Sequence, residues 1–244
     1  MRSTMHSATM PTRKVSRHTS PVRRFGAAAL ATVTAAALGT LIGPALTAAA
    51  ETTGQNVIDA FADPGSVGGS ITLTSDVTVA QTLSLAGGAS LTVHLAGHRL
   101  SVTGEAATTP TPGDPAELFK QIALSNSGTL TIEGGTLSVT GGAAADGTDG
   151  TVAAPDGGNG GSAVPAVYNT GTLTLTSATV TAAGGAAGAG GAGVDPDVVG
   201  VAGGNGGAGG AGGTAITNGG TLVLFDADLS VIGGAGGTGG TGGT

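Results

Sequence analysis

The sequence predicts an all-β fold, a solenoid in which short strands pair in parallel with the next coil. Three observations predict it. One pattern occurs three times: residues 123–139 (ALSNSGTLTIEGGTLSV), 166–182 (AVYNTGTLTLTSATVTA) and 215–231 (AITNGGTLVLFDADLSV). Asn126, Asn169 and Asn218 are equivalent, at steps of 43 and then 49 residues, so a core unit repeats while the material between copies varies. Within each copy the apolar residues alternate, as a half-buried strand requires: Leu173 and Leu175 face one way, Thr172, Thr174 and Thr176 the other. The second apolar position of each copy follows the first too soon for a helical crossover, but at a comfortable distance for a turn and another strand.

The equivalent apolar positions form the expected core: Leu130, Leu173 and Leu222 in one column, Leu137, Val180 and Leu229 in the other. Asn126, Asn169 and Asn218 are expected as a structural ladder. Asn tolerates the left-handed backbone of a tight bend, and its amide can bond to the amide stacked above it.

Taken from its start, the chain opens with a leader. Arg2, Arg13, Lys14, Arg17, Arg23 and Arg24 make a basic region, residues 25–46 a mostly apolar run, and Ala48, Ala49 and Ala50 a small-residue cleavage site. Residues 1–50 are therefore expected to be a signal peptide and 51–244 the folded domain, secreted or held at the cell surface. Gly39, Gly43 and Pro44 argue against an uncleaved anchor. Arg23 and Arg24 leave twin-arginine export open beside the general route.

Removal of the leader leaves Arg99 and Lys120 against fifteen acidic residues, a formal charge of −13. Phosphate binding rests on Lys and Arg, so nucleic acid and anionic membranes are not expected as partners. The chain has no Cys, so an exported domain would hold together without disulfides. It has no Trp, which argues against stacking platforms for sugars or bases.

Residues 56–61 (NVIDAF) read as a short helix capping the first coil, with Val57, Ile58 and Phe61 on one face. Strands follow from Ser70: Ile71/Leu73, Val77/Val79, Leu83/Leu85, Leu91/Val93/Leu95 and Leu100/Val102, punctuated at Gly87-Gly88 and Gly97-His98. Residues 105–115 (EAATTPTPGDP) are a Pro/Thr loop. Two inserts, 141–165 and 183–214, are dominated by Gly and Ala. Flexible loops are the expected form. The alternative is close-packed, polyglycine-like extended chain, since only Gly lets backbones approach so closely.

Residues 68–103 (GGSITLTSDVTVAQTLSLAGGASLTVHLAGHRLSVT) and the YNTGTLTLTSATVT copies resemble bacterial right-handed parallel β-helix proteins of the pectin-lyase-like class. The likeness is to their non-catalytic, surface and adhesin-like members, whose coils carry an Ile-Tyr-Asn-x-Gly-Thr-Leu-Thr-Ile theme. Only Tyr168 keeps the Tyr; Ser125 and Thr217 stand there in the other copies. The Gly-rich inserts resemble PGRS-type domains in composition. The resemblance implies a right-handed parallel β-helix and a structural or adhesive role, with polysaccharide binding or cleavage as the alternative.

For an enzyme of that class, clustered acids are needed, with Ca²⁺ or an Arg/Lys base in the lyases. Asp76, Glu133, Asp226 and Asp228 are the acidic candidates. Asp226 and Asp228 are two apart and would form an outward carboxylate pair on a continuous strand. Their equivalents are Gly134/Thr136 and Ser177/Thr179, which favours a solvated turn. The expectation is thus no catalytic residue. Metal sites fare similarly. Residues 190–195 fit the start of a Ca²⁺ nonapeptide, but Asp197 falls where a large apolar residue belongs. Asp146–Asp149 reads as an acidic turn, and His94 and His98 lack further ligands. No cofactor is expected, with Ca²⁺ the single candidate.

Outward Thr129/Thr131 and Thr172/Thr174 would form a hydroxyl-and-methyl array of the kind that orders water or meets a crystalline glycan; Thr221 continues it and Val223 breaks it. The last strands run into GGAGGTGGTGGT with no capping segment, so the C-terminal end reads as incomplete, and self-association through its open edge is expected. The expected partners are a cell-surface or extracellular polysaccharide and a second copy of the chain.

Overall fold

Strand formation follows the alternation wherever Thr, Val, Ile and Leu dominate. The computed structural model describes residues 51–109, 115–195 and 202–244. Among them are β1 (Ser70–Thr72), β2 (Val77–Val79), β3 (Leu83–Leu85), β4 (Ser90–His94), β5 (Arg99–Thr103), β6 (Leu124–Asn126), β7 (Thr129–Thr140), β8 (Val167–Asn169), β9 (Thr172–Ala183), β10 (Ile216–Asn218), β11 (Thr221–Phe225) and β12 (Asp228–Ile232). Helices α1 (Gly54–Ala62) and α2 (Pro115–Lys120) and a 3-10 turn over Pro64–Val67 accompany them. The expected leader, and Asp197 of the Ca²⁺ motif, lie outside the described residues.

The repeats pair in parallel and in register. Strand β7 meets β9 from Thr129↔Thr172 to Thr140↔Ala183, and β11 and β12 meet β9 at Leu222↔Leu173 and Leu229↔Val180. Strands β4 and β5 lie on the other side of β7 at Leu91↔Leu130 and Leu100↔Leu137, with β1 and β2 beyond them. These form a sheet of eight strands; β3, β6, β8 and β10 form a second, of four. Leu130, Leu173, Leu137 and Val180 are buried at 0–3% exposure, while Leu222 and Leu229, in the outermost strands, are half-buried against them.

The expectation of an all-β right-handed parallel β-helix is corrected here. The described residues form parallel sheets of eight and four strands together with helices, nearer to an α/β arrangement than to an all-β one. Period-two alternation and repeat spacing specify which side chains face inward and which strands pair. They do not specify what precedes or connects the strands; here α1 precedes β1, and the connection from β5 to β6 includes α2. Residues 115–120 (PAELFK) open on Pro, which suits a first helical turn, and form α2 directly after the Pro/Thr loop.

Helix α1 forms because Thr53 and Asn56 make a reciprocal capping box, with Asn56 Oδ1 accepting from the Thr53 amide at 2.8 Å. Its Val57, Ala60 and Phe61 are buried, and it packs on β1, β2 and β3, covering that end of the core. Close approach there is made possible by Gly54, where a Cβ would stand 2.8 Å from the Thr78 carbonyl.

The described parts of the Gly-rich inserts are packed rather than loose, against the flexible-loop expectation. Five extended segments, residues 142–150, 155–165, 184–195, 202–213 and 233–244, lie side by side, and none forms a pleated strand. Hydrogen bonds run between segments and advance by three residues. Amides of residues 144, 147 and 150 donate to carbonyls of 186, 189 and 192, and those of 184, 187, 190 and 193 to 232, 235, 238 and 241. Antiparallel neighbours interlock likewise: Gly207 and Gly210 donate to Gly191 and Gly188. This is the three-residue period of polyproline II chain, which has no bonds within a segment. None of these glycines is among those with positive φ, so left-handed freedom is not why they are Gly. Close packing is: a Cβ on Gly188 would stand 1.9 Å from the Ala145 carbonyl oxygen, and one on Gly191 2.0 Å from that of Thr148.

Candidate functional site

The outward face of the eight-stranded sheet carries hydroxyls in columns. Parallel pairing without slippage aligns Ser90, Thr129, Thr172 and Thr221, and beside them Thr92, Thr131, Thr174 and Val223. A further column, Ser101, Ser138, Thr181 and Ser230, runs along the second halves of β7 and β9. Neighbours in a column stand about 4.8 Å apart, the strand spacing. Each is exposed or half-exposed, because the alternate residues fill the core.

At one edge of this face a cleft of about 570 Å³ opens, lined by Thr72, His94, Glu133, Thr176 and Ser177 with Ala96 and Gly134. Register places Thr72, His94, Glu133 and Thr176 in one column. His94 Nδ1 and Glu133 Oε1 are 2.5 Å apart, each side chain more than one-third exposed. The strands then turn sharply, with Ala96 (φ 51°), Gly134 (φ 72°), Ser177 (φ 47°) and Asp226 (φ 50°) in left-handed backbone. Three of these are not Gly, and such strain gathers where surroundings over-determine the turn. The turn is what brings Ser177 into the cleft wall.

Chemically, the carboxylate fixes the imidazole, and hydroxyls surround the pair. Such a site hydrogen-bonds a hydroxylated ligand. It holds one carboxylate, whereas two-carboxylate glycoside chemistry needs a second at about 5–10 Å. Glu133 was legible as an acid and His94 as a lone imidazole. Their meeting was not, since they are 39 positions apart and only strand register joins them.

The structure separates the other candidates. Asp226 occupies the strained turn, and Asp228 begins β12. His98 Nδ1 is 3.8 Å from Asp76 Oδ1, which also accepts from the Arg99 amide at 2.8 Å, so His94 and His98 do not form a pair. Among the described residues no three His, Cys, Asp or Glu side chains converge as a metal site. Asp146 and Asp149 accept from the amides of Ala189 and Ala192 at 2.7 and 2.8 Å, joining one Gly-rich segment to the next. Asp195, at the end of the nonapeptide-like stretch, accepts from the Thr244 hydroxyl at 3.1 Å.

Asn126, Asn169 and Asn218 stand in one column. The Asn126 amide donates to Asn169 Oδ1 at 2.7 Å and that of Asn169 to Asn218 Oδ1 at 2.6 Å. The same two amide groups also reach the carbonyls of Thr172 and Thr221, each at 3.0 Å. Asn126 and Asn169 are fully buried, so these bonds offset the desolvation of groups otherwise costly to hide. The column belongs to the four-stranded sheet, through β6, β8 and β10.

No helix of the described residues is long and apolar enough to cross a membrane. No family model, curated protein or solved structure matches the chain, so the resemblance to pectin-lyase-like proteins rests on the repeat motif alone.

Proposed function

We propose that this protein is a non-catalytic structural and adhesive module, exported to the cell surface or beyond, whose adhesive face is the hydroxyl array of the eight-stranded sheet. The observation that carries this reading is the alignment of Ser90, Thr129, Thr172 and Thr221 beside Thr92, Thr131 and Thr174. Evenly spaced hydroxyls on a broad sheet present many weak hydrogen bonds at a fixed repeat. Such a face suits an ordered neutral surface such as insoluble polysaccharide, where many contacts act together. Outward Thr also follows from β-propensity alone, so the columns need a direct test. The full chain is mixed with suspended cellulose or chitin and the bound fraction measured. Replacing Thr131 and Thr174 together by Lys is expected to lower the apparent affinity at least tenfold while the protein stays folded. Equal binding by parent and variant would end the reading.

The second reading, polysaccharide binding or cleavage in the cleft, is favoured by one observation, the His94–Glu133 pair beside Thr176 and Ser177. A soluble oligosaccharide would then bind the parent and not Glu133→Gln. Release of reducing ends by the parent, lost in that variant, would establish cleavage.

A further inference from the structure

The two ends of the core are finished differently. At the first end α1 lies over β1, β2 and β3 and buries Val57, Ala60 and Phe61. At the other, β11 and β12 are outermost, with Leu224 (43% exposed), Phe225 (67%), Val231 (58%) and Ile232 (54%) uncovered. That apolar edge continues directly into the last Gly-rich segment.

In that segment one side of the backbone is unpaired among the described residues. One layer beneath, the amides of residues 184, 187, 190 and 193 donate outward to the last segment at 2.8–2.9 Å. Their counterparts 49 residues on, Gly233, Gly236, Gly239 and Gly242, make no hydrogen bond through their amides among the described residues. The carbonyls of Gly185, Gly188 and Gly191 accept from an antiparallel neighbour, and those of Gly234, Gly237 and Gly240 accept from none among the described residues. The steric contrast is as sharp. A Cβ on Gly184, Gly190 or Gly193 would meet a backbone oxygen at 2.0–2.1 Å. On Gly239 or Gly242 the nearest such atom is 3.7 Å away, on Gly236 it is 3.8 Å, and on Gly233 nothing lies within 4 Å. Among the described residues nothing requires Gly at these four places.

We propose that this outer layer docks against the same layer of a second copy, tail to tail, to give a closed dimer. A row bearing both unmade donors and unmade acceptors at three-residue intervals complements itself when a copy runs antiparallel. The same antiparallel bonding joins Gly234, Gly237 and Gly240 to Gly213, Gly210 and Gly207 within one molecule. Size is adequate. Residues 221–244 lay out about 80 Å of extended chain, and at a breadth of about 10 Å this is about 800 Å² on each partner, the scale of a stable interface. Closure follows from symmetry: a tail-to-tail contact uses the same layer on both copies, so association stops at two, and α1 covers β1, β2 and β3 at the other end of the sheets.

The test is sedimentation velocity of the full chain over a wide concentration range. The expected result is a monomer–dimer equilibrium with no larger species. In Gly236→Val with Gly239→Val the added Cβ atoms meet only ordinary contacts at 3.7–3.8 Å inside one molecule, so the variant should melt like the parent, yet it holds two backbones apart and should weaken dimerisation at least tenfold. Phe225→Lys, at an exposed position, should do the same by a route that does not touch the Gly-rich segment. The Thr131→Lys and Thr174→Lys variant used for the hydroxyl face should dimerise like the parent, which keeps this inference separate from the functional reading. A monomer at every concentration, growth beyond two, or undiminished dimerisation of both Gly236→Val/Gly239→Val and Phe225→Lys would overturn it.

Discussion

The sheets and the Gly-rich array stack the same repeats by opposite means. In the sheets, Leu130, Leu173, Leu137 and Val180 fill space between layers, and stability comes from apolar side chains removed from water. In the array there are almost no side chains to bury. Its segments close to backbone contact, and each third amide finds a carbonyl on a neighbouring segment. A sheet tolerates many side chains but demands that the inward ones be large. The array carries small residues such as Ala189 and Ala192 at every third place, and it leaves no room for a methyl group at positions such as Gly188 and Gly191. The lesson is that Gly-rich composition does not by itself mean a mobile chain; phase decides.

That contrast is open to attack by substitution. The largest effect is expected in the sheets: Leu173→Ala leaves a cavity between Leu130 and Leu222 and should cost about 2–5 kcal/mol in denaturant unfolding. Global midpoints unchanged by this substitution would mean that the sheet core does not hold the repeats together. In the array, Gly188→Ala places a methyl group against the Ala145 carbonyl and should cost about 1–3 kcal/mol through overpacking. Its signature is local. Amide exchange should quicken at Gly207 and Gly210 while Leu175 stays protected, and uniform quickening would deny that the two regions are distinct. In the four-stranded sheet, Asn169→Ala removes a buried group that both gives and accepts; a loss of about 1–3 kcal/mol is expected by thermal or chemical unfolding. The smallest effect belongs to Gly236→Ala. With only an ordinary contact at 3.8 Å and no positive φ, it should be neutral or stabilise the monomer by about 0.4–1 kcal/mol, the opposite sign from Gly188→Ala.

How much of this was legible in the sequence depends on which physical rule was in play. Alternation at Leu173 and Leu175 fixed the faces of β9 because strand geometry alone sets the period. The Asn column was legible from three equivalent positions and a side chain suited to self-stacking. Helix α1 announced itself through Val57 and Phe61 on one face. Helix α2 did not, since six residues carry too little periodicity to be told from a loop. The fold class was misjudged because pairing and register say nothing about what joins the strands. The array was undervalued for another reason: flexible and packed chain share a composition. The sign that separates them is the Gly-Gly-x triplet, plain in GGAGGTGGTGGT, whose period matches the hydrogen bonding seen between segments. The His94–Glu133 cleft was beyond reach, because nothing local to either residue points to the other.

The three-residue bonding also constrains how such a chain can change in length. A Gly-rich segment lengthened by one or two residues would turn its small residues outward and drive its larger ones into a neighbour's backbone. Lengthened by three, about 9 Å of added chain, it stays in phase. Because segments are laid down as antiparallel pairs, the natural increment is three on each limb, six in all. The two intervals between Asn126, Asn169 and Asn218, 43 and 49 residues, differ by that amount. Insertions and deletions in this part of the molecule are therefore counted in threes, a reading frame kept by the folded backbone itself.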